Sequence, residues 1–455
     1  MNPLIINKTA AEIATGLSTN EFTSEALVTE ALEAIRNCSD QSIFINVTEK
    51  RAMDEAIASD ERRKNGQLLS DWDGVPIVWK DLFDLEGLPT TAGSKVYKDA
   101  APAKQDAEVV SNCSALGLVC LGKTNLSEFA YSGLGLNPHY GTPVNPNSSA
   151  SPKAPGGSSA GSAVAVAQGF TPLAIGTDTA GSVRVPASFC GIAGFKSSQK
   201  RYSNKGVFPL SSSLDSLGSF ANTVDDLIQI DAFMRGKVST SVPITDLKNA
   251  TFLVPENIVF DDISSDIKNA FNQLLENLKA AGATIKVQHF PLFDEVNQLF
   301  KNHGTLTVAE AYANHEQLLL SAQAEDMDQR VRNRMLTAKQ MSTTDYIRLQ
   351  WARERLQKET VEMLGDAFLL FPTTPITAPD IAELEASDEL FASTNLKALR
   401  NTMLGNYLGM PGVSLSIGDD ADELPIGVLI SAPLDQDDRV LSVSRAIDEL
   451  LRLKS

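Results

Sequence analysis

The chain has 455 residues, 43% hydrophobic and 21% charged, enough to bury a large core in one big α/β domain or a few smaller ones. Its net charge of −18 repels phosphate backbones and argues against direct nucleic-acid binding, and no long polar low-complexity stretch predicts disorder. Cys38, Cys113, Cys120 and Cys190 form no CxxC pair, which argues against a disulfide framework or a thiolate metal site and predicts reduced, buried thiols.

Met1-Asn2-Pro3-Leu4 lacks the basic start and long apolar core of a secretory leader, and no apolar run nears the roughly 20 residues that span a bilayer. A cytoplasmic protein with no membrane partner is expected. Leu27, Val28, Ala31, Leu32 and Ile35 recur at helical spacing behind Thr23 or Ser24, so a helix is predicted over 23–37, within a helical segment over 1–70. The run 74–79 reads as an apolar strand closing on Lys80. The run 118–121 reads as another, followed by Gly122-Lys123-Thr124-Asn125. The turn Gly156-Gly157-Ser158-Ser159-Ala160-Gly161-Ser162 opens an Ala/Val-rich helix over 160–169. Leu173-Ala174-Ile175 is a strand entering a second small-residue turn, Thr179-Ala180-Gly181-Ser182. Strand–turn–helix units of this kind imply an α/β sheet with its loops at one edge.

Beyond residue 240, Phe252-Leu253-Val254 is a strand. A helix behind Ser264 or Ser265 then carries Ile267, Phe271, Leu274, Leu275 and Leu278 and ends at Gly282. Ile285-Lys286-Val287 returns as a strand, 305–365 is mostly helical, and Pro372 stops a buried strand over 368–371. Strands over 413–416 and 426–430 and a helix with Val440, Val443, Ile447, Leu450 and Leu451 close the chain. No linker and no fixed repeat divides it, so one large domain is predicted.

Three chemistries compete for the Gly/Ser turns. A phosphate cradle would need a lysine after Gly161 or a GxGxxG spacing, and neither is present. Gly157-Ser158-Ser159-Ala160-Gly161 matches GxSxG, with Ser159 as nucleophile. That reading needs a downstream acid and histidine, and His289, His303 and His315 fall at a strand end or in helical sequence. The third arrangement joins Lys80 to two serines 24 positions apart, Ser158 and Ser182.

The third reading is carried by long motifs in order. They are Gly74-Val75-Pro76-Ile77-Val78-Trp79-Lys80-Asp81, Gly122-Lys123-Thr124-Asn125, the 156–162 turn, Gly176-Thr177-Asp178-Thr179-Ala180-Gly181-Ser182-Val183-Arg184-Val185-Pro186-Ala187, and Leu424-Pro425-Ile426-Gly427-Val428. On these the sequence resembles the amidase signature family from about residue 20 to the C-terminus. The resemblance implies an α/β fold, a single large domain with a mixed twisted β-sheet flanked by α-helices. It implies Ser182 as nucleophile, Ser158 as bridging hydroxyl reached through a cis Gly157–Ser158 peptide, and Lys80 as base, with no cofactor and no metal. The backbone N–H groups of Thr179, Ala180, Gly181 and Ser182 would form the oxyanion hole, Ala180 standing where many members have glycine.

A serine hydroxyl needs a base within hydrogen-bond reach. A lysine, ordinarily titrating near pH ~10.4, must be buried to serve near neutrality. The apolar run 75–79 offers that burial, and Asp81 must then point away or be paired. Arg184 is expected to pair inside the core and Asp178 to tie the turn. Ser159 and Ser162 should hydrogen-bond locally, and Trp79 and Phe189 should be core.

Residues 125–145 and the helical stretch 300–400 are expected to shape the substrate pocket. Ala130 and Ser132 are placed with the oxyanion and substrate contacts, and Tyr131, Leu134 and Tyr346 are candidates by position. Val185 offers no charge for an acidic substrate, so a small or aryl amide is expected. The implied reaction is hydrolysis of a linear carboxamide to acid plus ammonia or amine through an acyl-enzyme. The alternative is the glutaminase component, the A-type chain, of a tRNA-dependent amidotransferase. Such chains typically read Ser-Ile-Arg-Gln-Pro where this one has Val185, and 401–410 lacks their pattern, so a free-standing hydrolase is favoured. The expected partner is the small amide, and a homodimer is left open.

Overall fold

Eleven short segments hydrogen-bond into one sheet in this computed structural model, which describes Ile5 and residues 8–453. Met1–Leu4, considered above as a leader, lie outside the described residues. The strands are β1 (Phe44–Val47), β2 (Pro76–Lys80), β3 (Val119–Thr124), β4 (Leu173–Asp178), β5 (Ala193–Lys196), β6 (Ser216–Ala221), β7 (Thr251–Pro255), β8 (Thr284–Gln288), β9 (Phe368–Pro372), β10 (Gly412–Asp419) and β11 (Pro425–Ser431). Their order is β1-β3-β2-β4-β6-β5-β10-β11-β9-β7-β8. Pairing is mixed, with β2 parallel to both β3 and β4, and β4, β6, β5, β10, β11 and β9 antiparallel in succession. Helices cover the sheet, as the expected α/β class requires.

The predicted elements are present with boundaries moved by up to three residues. The 1–70 segment holds helices Ala10–Ser18, Ser24–Asn37 and Glu49–Lys64, but it also holds β1, which pairs antiparallel with β3. β1 is four residues of partly buried sequence, and only its partner makes it a strand. β5 and β6 escaped the sequence pattern for a related reason. Every residue in both is buried, so neither alternates between apolar and polar faces. No helix among the described residues is long and apolar enough to cross a membrane.

The parallel trio β3-β2-β4 positions the chemistry. Trp79 pairs with Ile175 and Lys80 with Thr124, so the carboxyl ends of the three strands bring Lys80, Thr124 and Asp178 to one edge. Open α/β sheets bind ligands beyond such an edge.

Helix Asp388–Tyr407 runs past that edge. Asn395, Leu399, Thr402 and Asn406 recur at helical spacing and share one face. Asn395 Oδ1 accepts from the Gly133 N–H at 2.7 Å, and Thr402 Oγ1 donates to the Ala180 carbonyl at 2.6 Å. Asn406 Nδ2 donates to Asp178 Oδ1 at 2.9 Å.

At that last contact Arg184 forks onto Asp178, with Nε 3.0 Å and Nη2 2.9 Å from the two carboxylate oxygens, both side chains fully buried. Burial alone would push the Asp178 carboxyl up. The Arg184 charge and hydrogen bonds override it and hold the group well below the usual carboxylate range. Asp178 also accepts from the N–H groups of Val183 and Arg184, which folds the chain back after β4. Arg184→Met should therefore strand a buried carboxylate and lower stability by about 3–5 kcal/mol. Breaking the exposed Lys50–Asp54 pair should leave the denaturation midpoint nearly unmoved. Urea unfolding of the two variants checks this, and similar midpoint losses in both would contradict it.

Candidate active site

Lys80 ends β2 and is fully buried. Its Nζ donates to Ser158 Oγ at 2.8 Å and to Thr177 Oγ1 at 2.9 Å. No carboxylate lies within ion-pair distance of it among the described residues. Burial pushes its ammonium down to about 7, against the opposing pull of the Asp178 and Asp215 charges. Asp81, next in sequence, is paired as required: it takes Lys123 Nζ at 2.5 Å and the Thr91 hydroxyl. Lys196 is also buried and also pushed down to about 7, yet its Nζ meets the carbonyls of Ser197 and Met410 and no hydroxyl. A lowered pKa therefore does not single out Lys80, whereas its contact with Ser158 does.

Ser158 follows a cis Gly157–Ser158 peptide and sits just before helix Ala160–Ala167. Gly157 fits because an added Cβ would lie 2.5 Å from the Gly135 nitrogen and 2.8 Å from the Ser132 carbonyl. The Ser159 N–H reaches the Ser182 carbonyl at 3.4 Å and stitches the two serine turns together. Ser158 and Ser182 are both buried, at 0% and 5% exposure. No hydrogen bond joins the Ser158 and Ser182 hydroxyls among the described residues. Such contacts commonly tighten only with substrate bound.

The turn after β4 presents the N–H groups of Thr179, Ala180, Gly181 and Ser182, and none of the four has an acceptor among the described residues. Gly181 has φ +145°, and an added Cβ would lie 2.2 Å from Thr402 Oγ1, so only glycine fits there. Thr402 Oγ1 holds the Ala180 carbonyl, so the Gly181 N–H on the same trans peptide points the opposite way. Thr179 Oγ1 donates to Asp215 Oδ1 at 2.5 Å. Asp215 also accepts from the N–H groups of Leu210 and Ser211, and burial pushes its carboxyl up to about 6.

The remaining candidates divide. Ala130 has a left-handed backbone (φ +59°), and its N–H is taken by the Ser127 carbonyl. The Ser132 hydroxyl donates to Asn395 Oδ1 at 3.2 Å and accepts from the Leu134 N–H at 3.2 Å. Tyr131 is buried beneath the Arg334 guanidinium, 4.4 Å from ring to cation, and Leu134 is core. Tyr346 stands in a separate polar cluster with Glu310 and Gln350. Val185 is buried against core residues, so its lack of charge carries no information about substrate.

Ser159 Oγ donates to the Thr177 carbonyl at 3.4 Å, and Ser162 Oγ meets Thr124 Oγ1 at 2.7 Å. His289 pairs with Asp294, His303 with Asp345, and His315 is buried against Phe129 and Phe208; none bonds Ser159. The GxSxG reading thus lacks its base. Trp79 and Phe189 are core. Sequence reasoning missed Thr177 and Asp215. A hydroxyl near a strand end beside the lysine strand was the available signal for Thr177. Asp215 reaches the turn only through the β6 pairing. No group of three or more His, Cys, Asp or Glu among the described residues could hold a metal.

The amidase family model matches residues 26–441. The chain is 35% identical over 447 residues to 2-amino-5-chloromuconic acid deaminase of Comamonas testosteroni, covering 97% of this chain and 96% of that one. It is 33% identical over 483 residues to the A-type component of the glutamyl-tRNA(Gln) amidotransferase of Pseudomonas aeruginosa, covering 97% of each. A crystal structure of an amidase superposes with a TM-score of 0.86 at 30% identity, covering 98% of this chain and 100% of that one. The ordered motifs, the mixed sheet and these matches make the chain a member of the amidase family, a hydrolase of carbon–nitrogen bonds in amides.

Proposed function

We propose that the chain hydrolyses a linear carboxamide through an acyl-enzyme on Ser182, with Ser158 as proton relay and Lys80 as base. The observation that carries this reading is the 2.8 Å contact between buried Lys80 and Ser158, on a lysine with hydroxyls and no carboxylate around it. Neutral Lys80 takes the Ser158 proton as Ser158 takes that of Ser182. Ser182 Oγ then bonds to the amide carbon, and the oxyanion gathers the N–H groups of 179–182. The C–N bond breaks as the proton returns through Ser158 to the leaving nitrogen, which departs as ammonia or amine. Water, activated along the same relay, cleaves the ester and frees the acid. Residues 300–400 supply the wall of the acyl or leaving-group pocket, since helix Asp388–Tyr407 backs the oxyanion turn. The cysteines are unpaired and three are buried, which supports a reducing, cytoplasmic setting.

The similarity to the amidotransferase component supports a second reading, glutamine hydrolysis within a complex. Assays of the purified chain separate the two. The free-standing reading expects simple amides to be cleaved by this chain alone, and cleavage of glutamine only, and only with added partner proteins, would sink it. Ser182→Ala should lower kcat by at least about a thousandfold, whereas Ser159→Ala should retain much of the activity; the reverse pattern would restore the GxSxG reading. Below pH 7 Lys80 is protonated and cannot accept, so kcat/KM should rise with pH through about 7 and then level off. A profile flat from pH 5 to 9 would rule out Lys80 as the base.

A further inference from the structure

Thr179 and Asp215 face each other one step beyond the β4–β6 ladder. Its last register pair is Asp178 with Ser216, so the next residue out is Thr179 on one strand and Asp215 on the other. The Thr179 hydroxyl donates to Asp215 Oδ1 at 2.5 Å, and Oδ2 takes the N–H groups of Leu210 and Ser211, each at 2.9 Å. The Ser216 hydroxyl donates to the Asp178 carbonyl at 2.8 Å, so the peptide entering the 179–182 turn is held as well. The loop that carries Asp215 is built onto the helical region. Glu310, in helix Leu306–Leu319, accepts from the Ser211 hydroxyl at 2.6 Å and the Ser213 N–H at 2.9 Å. Asn314 Nδ2 of that helix donates to the Leu210 carbonyl at 3.0 Å, and Gln350 of helix Thr343–Leu364 donates to the Ser213 hydroxyl at 2.9 Å.

A second link runs to Lys80. Asp215 and Thr177 share the wall of a cavity of about 190 Å³, and Thr177 Oγ1 is the second acceptor of Lys80 Nζ. Two acids act on Lys80 by charge, Asp178 and Asp215. Arg184 meets the first, whereas Asp215 has hydroxyl and amide donors and no cation partner among the described residues. Glu310 adds a like charge to Asp215 from the helical side. A larger cavity that Asp215 also lines carries Lys200, Arg201 and Arg353 with Asp435 and Asp437. Of these, Arg201 forks onto Asp231, and Arg353 holds the Tyr407 carbonyl.

Three donors converge on one side chain at the head of the turn, and a carboxylate, which only accepts, is the group that takes all three. We propose that Asp215 is a positioning residue of the reaction: through the Thr179 hydroxyl it holds the first N–H of the 179–182 turn in place, and its charge faces Lys80 across the cavity. This rests on the reading of those N–H groups as oxyanion donors and of Lys80 as base. Such donors act only where they are held before the charge develops. The turn is then clamped from two sides, by Asp215 at Thr179 and by Thr402 at Ala180.

Kinetics of three variants on an amide that the wild-type chain cleaves test this. Thr179→Val keeps the shape and removes the hydroxyl. It should lower kcat by about tenfold with little change in KM, because the turn serves the oxyanion rather than the bound substrate. Thr179→Ser keeps the hydroxyl and should recover most of that loss. Asp215→Asn keeps the size, removes the charge and offers one oxygen where three donors converge. It should lower kcat similarly and move the acid limb of kcat/KM to lower pH by about 0.5, since the carboxylate charge, present above about pH 6, favours the Lys80 ammonium. Wild-type kcat in Thr179→Val overturns the proposal. So does an unmoved limb in Asp215→Asn, which a merely structural Asp215 would give together with a lowered urea midpoint. Where Asp215→Asn does not fold, the Thr179 pair decides alone: loss in Val with recovery in Ser supports the tether, and equal activity in the two refutes it. A wild-type profile without an acid limb would instead remove Lys80 as the base, and with it the reading on which this one rests.

Discussion

A lysine buried at the end of a central strand, with hydroxyls and not a carboxylate for company, is the constraint on which the site depends. A charged ammonium there would have to be desolvated without a counter-ion. Burial instead brings the neutral form within reach near pH 7. The surrounding acids are disposed to respect this: Asp81 is spent on Lys123, Asp178 on Arg184, and Asp215 on Thr179 and two backbone donors. Each acts on Lys80 at most as a distant charge, so the lysine keeps its capacity to take a proton.

The second organising element is a helix face. Asn395 and Leu399 meet the 131–134 loop, Leu399 and Thr402 the 179–182 turn, and Asn406 the end of β4. Together they register the 131–134 loop, the 179–182 turn and the Asp178–Arg184 pair against one rigid rod. A shift of this helix would be felt at the 131–134 loop, the 179–182 turn and the Asp178–Arg184 pair alike.

The three residues proposed for the chemistry were legible in the sequence because each sits in a short motif whose residue types are needed locally: an apolar run to bury the lysine, and small-residue turns to bring backbone close. Gly157 and Gly181 show the reason, since a single methyl at either position would collide with backbone or side chain. Arg184 was legible as a core ion-pair residue and Asp178 as a tie for the turn, but that they pair with each other across it is a finding of the structure. The short strands β1, β5 and β6 were not legible, because a strand buried on both faces or made by its partner carries no period of its own.

What the sequence determined by itself was the α/β class, most of the core elements, and the local form of the two serine turns and the lysine strand. Those depend on neighbours in the chain. What only the tertiary structure decided was which hydroxyl faces Lys80 from β4, which of the buried lysines Lys80, Lys123 and Lys196 meets a serine hydroxyl, where the 388–407 helix lies, and that Asp215 reaches Thr179. Most of these are pairings between residues tens to hundreds of positions apart. Residue type and spacing cannot encode them, because the register of the strands and the packing of the helix choose the partners.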